Sequence, residues 1–222
     1  MKNTFKAWAK TESFQKKVAE AKLIIHDALK KSKKMYIAFS GGKDSTCLLH
    51  LVLKFNPNIL VWHWDYGIYI PRKFEYETIE NAKKIGARNI RIDTSNAYRY
   101  KEKVFYNTFF GKILPEFEKQ GYDGVFVGLR KQESISRRER IKAKRIVGNI
   151  QEYWPLQNWD WKDVWAYIFS NDLPYHSAYN IYAPVIGWDK VRFATFFDPE
   201  FDFLGNSNLD GMLLWRWKNA IK

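Results

Sequence analysis

Between positions 12 and 31 the apolar residues recur with the period of a helix. Phe14, Val18, Ala21, Ile24, Ile25 and Leu29 share one face and lysines take the other, which predicts an amphipathic helix closed by Lys33-Lys34. The pattern then changes. Met35-Tyr36-Ile37-Ala38-Phe39 is a short unbroken apolar run and predicts a buried strand. Ser40-Gly41-Gly42-Lys43-Asp44-Ser45 is polar and predicts a loop, after which Thr46 to Leu53 reads as a helix. Strand, glycine loop and helix in that order match the nucleotide-binding unit of α/β proteins.

The alternation continues. Strands are predicted at Asn58–Trp64, Asn89–Ile92 and Gly124–Val127. Helices are predicted over Arg72–Ile85, stopped by Gly86, and over Tyr100–Lys119, with a kink or break at Pro115. This predicts an α/β fold with a single doubly wound, mainly parallel sheet flanked by helices. After Ile150 the texture changes. Tyr153–Leu156 reads as extended, Asp160–Phe169 as a helix capped from Asn158 or Asp160, and the rest as loop-rich and aromatic. No repeat or linker divides the chain. The expectation is one domain over 1–222: a helical segment 1–34, a nucleotide-binding core 35–150 and an aromatic C-terminal extension 151–222.

Composition sets bounds on this picture. With 46% hydrophobic and 18% aromatic residues, the chain can bury enough apolar surface to fold, which argues against disorder. Cys47 is the one cysteine, which excludes a disulfide scaffold and any zinc or CxxC redox site built from cysteine alone. No apolar run reaches the roughly 18 residues of a spanning helix. Met1–Lys6 leads into no apolar run of a secretory signal, so a cytoplasmic protein with no membrane partner is expected. The formal charge of +13 points to an anionic partner, which charge alone leaves open among nucleic acid, nucleotide phosphate and anionic membrane.

The loop at 40–45 has a chemical reading residue by residue. Gly41 and Gly42 let the backbone turn tightly and approach phosphate oxygens. Loop N–H groups and the following helix N-terminus favour an anion. Ser40 and Ser45 can donate hydroxyl hydrogen bonds, and Lys43 can sit on a phosphate as a point charge. Asp44 is out of place beside an anion unless it caps the helix or shares Mg²⁺. The spacing is neither that of a Walker loop nor that of a dinucleotide fingerprint.

Ser40-Gly41-Gly42-Lys43-Asp44-Ser45 resembles the pyrophosphate loop (PP-loop) of the adenine nucleotide alpha hydrolases, or N-type ATP pyrophosphatases. Within that superfamily the chain is most similar to the phosphoadenosine phosphosulfate (PAPS) reductase family. Asp65-Tyr66-Gly67, Pro71, Phe74 and Tyr76 resemble its Asp-Thr-Gly and Pro-Glu-Thr segment. Gly128-Leu129-Arg130 with Glu133-Ser134 and Arg137 resembles its Gly-Leu-Arg-x-x-Glu-Ser-x-x-Arg segment. Trp154-Pro155-Leu156, Trp159, Asp163–Ile168 and Leu173-Pro174-Tyr175-His176 resemble later segments, so the likeness runs over about 15–185 in order. It implies an adenine nucleotide, ATP or a PAPS-type sulfonucleotide, with its phosphate chain on 40–45. Adenine and ribose would lie near Phe39, His63, Asp65 and Gly128, with Arg130 and Arg137 on phosphate or sulfate. For ATP it implies cleavage between the α- and β-phosphates, with Lys43, Asp44 and Arg130 as catalytic candidates and Asp44 and Asp65 as Mg²⁺ candidates. Transfer of sulfur to an acceptor, or its modification, with a sulfur- or electron-donor protein as partner, would follow.

Two departures qualify this. The assimilatory reductases carry a nucleophilic cysteine in a C-terminal Glu-Cys-Gly-x-His segment, whereas Gly187–Lys222 contains neither Cys nor His. Iron–sulfur versions need several more cysteines, so no such cluster is expected. The leucines around Cys47 predict a packed interior position. The family's Pro-Glu is also Pro71-Arg72 here, which changes one charge near the nucleotide edge. A reductase using a partner's thiol, and a non-catalytic nucleotide-sensing or nucleic-acid-binding subunit, therefore remain as alternatives.

Other residues read two ways. Asp65 is a ribose or Mg²⁺ contact, or a turn-forming aspartate; His63 is a packed strand residue or a base. Arg137–Arg145 carries six positive charges and one negative, more than one nucleotide needs, which hints at nucleic acid. Trp154, Trp159, Trp161 and Trp165 can stack on bases, but their spacing across a helix start fits core packing.

Overall fold

The central strands are apolar on both faces, which is what a parallel sheet covered by helices on each side requires. The computed structural model describes residues 1–65, 72–94, 108–143 and 146–191. Its six strands are β1 (Met35–Ala38), β2 (Leu60–Asp65), β3 (Ile90–Thr94), β4 (Gly124–Val127), β5 (Ile146–Val147) and β6 (Ile150–Tyr153). They take the order β3-β2-β1-β4-β6-β5. All neighbours are parallel except β5 and β6, a short antiparallel hairpin at one edge. The doubly wound, mainly parallel α/β fold is therefore as expected.

The helices are α1 (Lys2–Trp8), α2 (Glu12–Lys31), α3 (Lys43–Leu53), α4 (Arg72–Ile85), α5 (Leu114–Lys119), α6 (Ile135–Lys142), α7 (Trp161–Ser170) and α8 (Ala178–Ile186). One face of the sheet packs on α2, α3 and α7 through Ile25, Ile37, Leu48, Val61, Phe126 and Trp165. The other face carries Tyr36, Trp62, Phe117 and Tyr122. Trp154, Trp159 and Trp165 are buried and Trp161 packs against the same core, so these tryptophans are structural.

Several boundaries differ from the pattern reading. α3 starts at Lys43 with Gly42 as its N-cap, so half of the expected loop is the helix's first turn. Pro115 stands in the first turn of α5, where a π-helical stretch (Phe109–Ile113) passes into α pitch, so the expected break is a change of pitch. Tyr153 ends β6, and the chain turns at Pro155–Asn158 instead of staying extended. α1, α6, α8 and β5 had no predicted counterpart. Asp160 caps α7 through a capping box with Asp163, one of the two caps expected. Residues 66–71, 95–107, 144–145 and 192–222, with the start of the helix predicted from Tyr100, lie outside the described residues.

Candidate functional site

The strand order reverses between β1 and β4, because β1 leads to β2 on one side while β4 follows on the other. Such a reversal opens a crevice at the carboxyl edge of an α/β sheet. Two connections meet there: Phe39–Gly42, from β1 into α3, and Gly128–Arg130, leaving β4. They touch. A Cβ added to Gly128 would lie 3.2 Å from the Asp44 carbonyl carbon and 3.2 Å from the Ser45 nitrogen, so only glycine lets β4 end against the first turn of α3. Gly41 has φ +76°, and a Cβ there would lie 2.5 Å from Thr78 Cγ2 on α4. Its conformation and its neighbour both require glycine.

The loop is internally tied. The Ser40 and Ser45 hydroxyls lie 3.2 Å apart, and Ser45 Oγ donates to the Gly42 carbonyl at 2.9 Å. Asp44 receives Arg130 Nε, and Lys43 Nζ stands 3.6 Å from its other oxygen. Arg130, 4% exposed, also donates its backbone N–H to Glu133 at 3.1 Å, and Glu133 pairs with Arg137. Burial works against the Asp44 anion, but Arg130 and then Lys43 outweigh it and hold the carboxyl down at about 2. Burial also opposes the Arg130 charge, and Asp44 reverses that. The site thus keeps a fixed guanidinium beside the helix N-terminus.

Lys43 lies elsewhere than a phosphate-facing lysine would. It is 1% exposed, its Nζ donates to the Val191 carbonyl at 2.7 Å, and its backbone N–H donates to the Tyr179 hydroxyl at 2.9 Å. Tyr179 belongs to α8, in a stretch whose pattern predicts loop.

His63 and Asp65 stand on one face of β2. His63 is buried, with Nδ1 2.8 Å from the Phe39 carbonyl and Nε2 2.8 Å from Glu75 Oε2. A carbonyl only accepts, so Nδ1 donates to Phe39 and Nε2 faces the Glu75 carboxyl. The pair fixes the residue immediately before the glycine loop. Glu75 and Thr78, both on α4, are the supports that sequence reasoning missed. The spacing of α4 alone does not reveal which strand its face meets. Asp65 receives Arg72 at both oxygens, 2.7 Å each, and Arg72 lies over the Tyr76 ring at 5.4 Å. A cavity of about 310 Å³ beside them is lined by His63, Asp65, Arg72, Glu75, Tyr76 and Ile79, and by no residue of 40–45.

Asp44 and Asp65 therefore each face a guanidinium, and among the described residues no three His, Cys, Asp or Glu converge on one point. This donor set does not fit a resident Mg²⁺. Cys47 is fully buried, its Sγ 3.5 Å from the Val164 carbonyl, and burial pushes its thiol well above the ordinary range. In the basic run, Arg137 pairs with Glu133, Arg140 with Glu152 and Lys142 with Glu139.

A family model described as the phosphoadenosine phosphosulfate reductase domain matches residues 34–188. The chain is 28% identical over 204 residues to the adenosine 5'-phosphosulfate reductase of Bacillus mycoides (strain KBAB4), covering 83% of this chain and 80% of that protein. It is 29% identical over 206 residues to the enzyme of the same name from Lysinibacillus sphaericus (strain C3-41), with the same coverage of 83% and 80%. Among solved structures it resembles the phosphoadenylyl-sulfate reductase of Candida auris in its phosphate complex, with TM-score 0.54, 17% identity, and 73% and 84% of the two chains covered. The U34-tRNA thiolase NcsA of Methanococcus maripaludis, with its 4Fe–4S cluster, gives TM-score 0.54 and 15% identity over 95% and 80%. At these identities the two structures establish a common fold.

Proposed function

Because the chain belongs to the phosphoadenosine phosphosulfate reductase domain family, we propose that it binds an adenine nucleotide in the β1–β4 crevice and uses it in sulfur chemistry on an acceptor. The observation that carries this reading is the meeting of the Ser40–Ser45 segment with Gly128–Arg130 at the sheet edge. Backbone N–H groups at the start of α3 and the Arg130 guanidinium supply positive character for a phosphate chain or sulfate. Lys43 joins them by exchanging the Val191 carbonyl for a phosphate oxygen. Adenine and ribose lie toward Phe39, His63 and Asp65, where the cavity beside β2 opens. Arg137 stands further out, on the Glu133 carboxylate, and reaches a far phosphate or sulfate only by leaving that pair.

For ATP, the reaction is attack of an acceptor on the α-phosphorus. The bond to the bridging oxygen breaks, pyrophosphate leaves, and the acceptor is adenylated for a sulfur donor to displace AMP. Arg130 and Lys43 stabilise the charge that builds on the phosphates. Any divalent ion would arrive on the nucleotide, since Asp44 and Asp65 are engaged by arginines. Cleavage of ATP is favoured over reduction by the chain's own thiol, because Cys47 is the sequence's one cysteine and is buried. A second reading rests on the names of the relatives: reduction of a sulfonucleotide by a thiol from a partner protein.

Titration calorimetry with ATP, PAPS and adenosine 3′,5′-bisphosphate, followed by pyrophosphate release with and without nucleic acid, tests the reading. ATP binding with pyrophosphate release supports the first reading. Tight sulfonucleotide binding with sulfite release only on adding a thiol protein supports the second. Binding without turnover makes the protein a nucleotide sensor. Lys43→Ala with unchanged affinity for every nucleotide would remove Lys43 from the site.

A further inference from the structure

We propose that a cavity at the far end of α3 from the glycine loop binds a small organic anion, one with a flat apolar body and a phosphate, sulfate or carboxylate group. The cavity measures about 450 Å³, within the range of small-molecule sites. It lies among α1, α2, the C-terminal end of α3 and α7. Eleven residues of α3 put about 16 Å between it and the first turn that carries Asp44.

Its chemistry is two-sided. Phe14, Val18 and Tyr167 are buried and form the apolar part of its floor, and Gln15, Ser170 and Asn171 add polar groups. Lys10, Lys22 and Lys54 are exposed around it. No Asp or Glu lines the cavity. Lys6 at its edge is paired with Asp172 at 2.9 Å. Among the described residues, Lys10, Lys22 and Lys54 have no acidic side chain at ion-pair distance. The imbalance is already in the sequence, where residues 1–54 hold twelve lysines against four acidic residues.

Two neighbouring groups lie close enough to these lysines to feel their charge in addition to their own burial. Lys54 loses basicity through burial and then through Lys22. His50, whose Nδ1 lies 3.0 Å from the Tyr167 hydroxyl behind the floor, is held down to about 4 by burial and then by Lys54. A bound anion would offset the lysine part of each shift and leave the part due to burial. The wall formed by α1 is fixed in advance. Phe5 stacks on Phe169 at 5.6 Å, and Trp8 donates its indole N–H to Asp163 at 2.9 Å. Binding would therefore not have to order that wall. Cations around an apolar concavity suit a compact amphiphilic anion; an extended polyanion needs a stripe of charge along a surface.

Titration calorimetry on the full chain with 1-naphthyl phosphate, 1-naphthol and inorganic phosphate tests the site. The expected result is that 1-naphthyl phosphate binds at least ten-fold tighter than either fragment. The Lys22→Gln/Lys54→Gln double variant should weaken that binding about ten-fold, and Lys43→Ala should leave it unchanged. Both lysines are exposed, so the double variant folds. NMR titration of His50 should show its pKa rising when 1-naphthyl phosphate is bound. Equal affinity for phosphate alone, unchanged binding by the double variant, or loss of binding on Lys43→Ala would each overturn the proposal. The last outcome would place the anion at the glycine loop.

Discussion

Arg130 rests its guanidinium on the Asp44 carboxylate, and the pair ties the end of β4 to the first turn of α3. Only 5% of one side chain and 14% of the other is exposed. The Asp44 carboxyl titrates at about 2, below the unfolded value near 3.9. Between those values the unfolded chain binds more protons, so stability rises with pH through that window. The contribution, on the order of 2 kcal/mol, is complete above about pH 5 and is lost as pH falls toward 2. Asp44→Asn should flatten this part of the acid-denaturation curve. At pH 7 it should also cost about 3 kcal/mol, because Arg130 stays buried and charged with only Glu133, 3.7 Å away, to oppose it. Chemical denaturation from pH 2 to 7 checks both; an unchanged acid limb would show that the pair does not carry it.

Gly41 is the loop position with least freedom to change. Alanine there would have to hold φ +76° and place a Cβ 2.5 Å from Thr78 Cγ2. The backbone part costs about 1 kcal/mol and the overlap about 1–3 kcal/mol. Gly41→Ala should therefore lower the melting temperature by roughly 5–10 °C and weaken nucleotide binding together. Gly41→Ala/Thr78→Ala removes the two closest overlaps, with Cγ2 and Oγ1, and keeps the backbone strain. It should recover stability beyond the sum of the single changes, a coupling that a double-mutant cycle reads directly.

The basic run on α6 makes opposite demands of two arginines two residues apart. Arg140 pairs with Glu152, whose side chain is 4% exposed, whereas Arg138 is exposed. Arg140→Ala leaves a buried carboxylate alone and should cost about 2–3 kcal/mol. Arg138→Ala should change stability by less than about 0.5 kcal/mol. If the run also holds nucleic acid, Arg138→Ala should reduce that affinity and its salt dependence while the fold stays intact. Fluorescence anisotropy with a labelled oligonucleotide at two salt concentrations separates the two roles.

Legibility in the sequence followed the range of the interactions. Strand β4 and helix α4 match their predicted bounds, because an unbroken apolar run and the stop at Gly86 are local signals. α3 starts three residues before its predicted start at Thr46. Its N-cap, Gly42, offers no side-chain acceptor, so Lys43-Asp44-Ser45 read as loop. The pattern does not predict helix α8, because Pro184 interrupts it and few polar residues mark a solvent face. The same distinction holds at the candidate site. The 40–45 motif and Arg130 could be named from the sequence, and the Pro71-Arg72 departure flagged an altered charge that the structure pairs with Asp65. The inward turn of Lys43 depends on Tyr179 and Val191, which are 136 and 148 residues away. The His63–Glu75 pair depends on which strand α4 covers. No local pattern encodes either contact.

Cys47 bears most directly on the chemistry. Its thiol is enclosed by the core, points at the Val164 carbonyl, and is pushed by burial well above the ordinary range. A thiolate nucleophile needs a lowered pKa and access to substrate, and this thiol has neither. In the folded protein Cys47 should react with 5,5′-dithiobis(2-nitrobenzoate) at least a hundred-fold more slowly than in denaturant. Cys47→Ala should cost about 1 kcal/mol of stability and leave nucleotide affinity and any nucleotide-dependent turnover within two-fold of the parent. Loss of turnover in a variant that still folds and binds nucleotide would reinstate the chain's own thiol as the reductant. Retained turnover assigns the sulfur or electron donor to another molecule, and adding that donor would then be required for multiple turnovers.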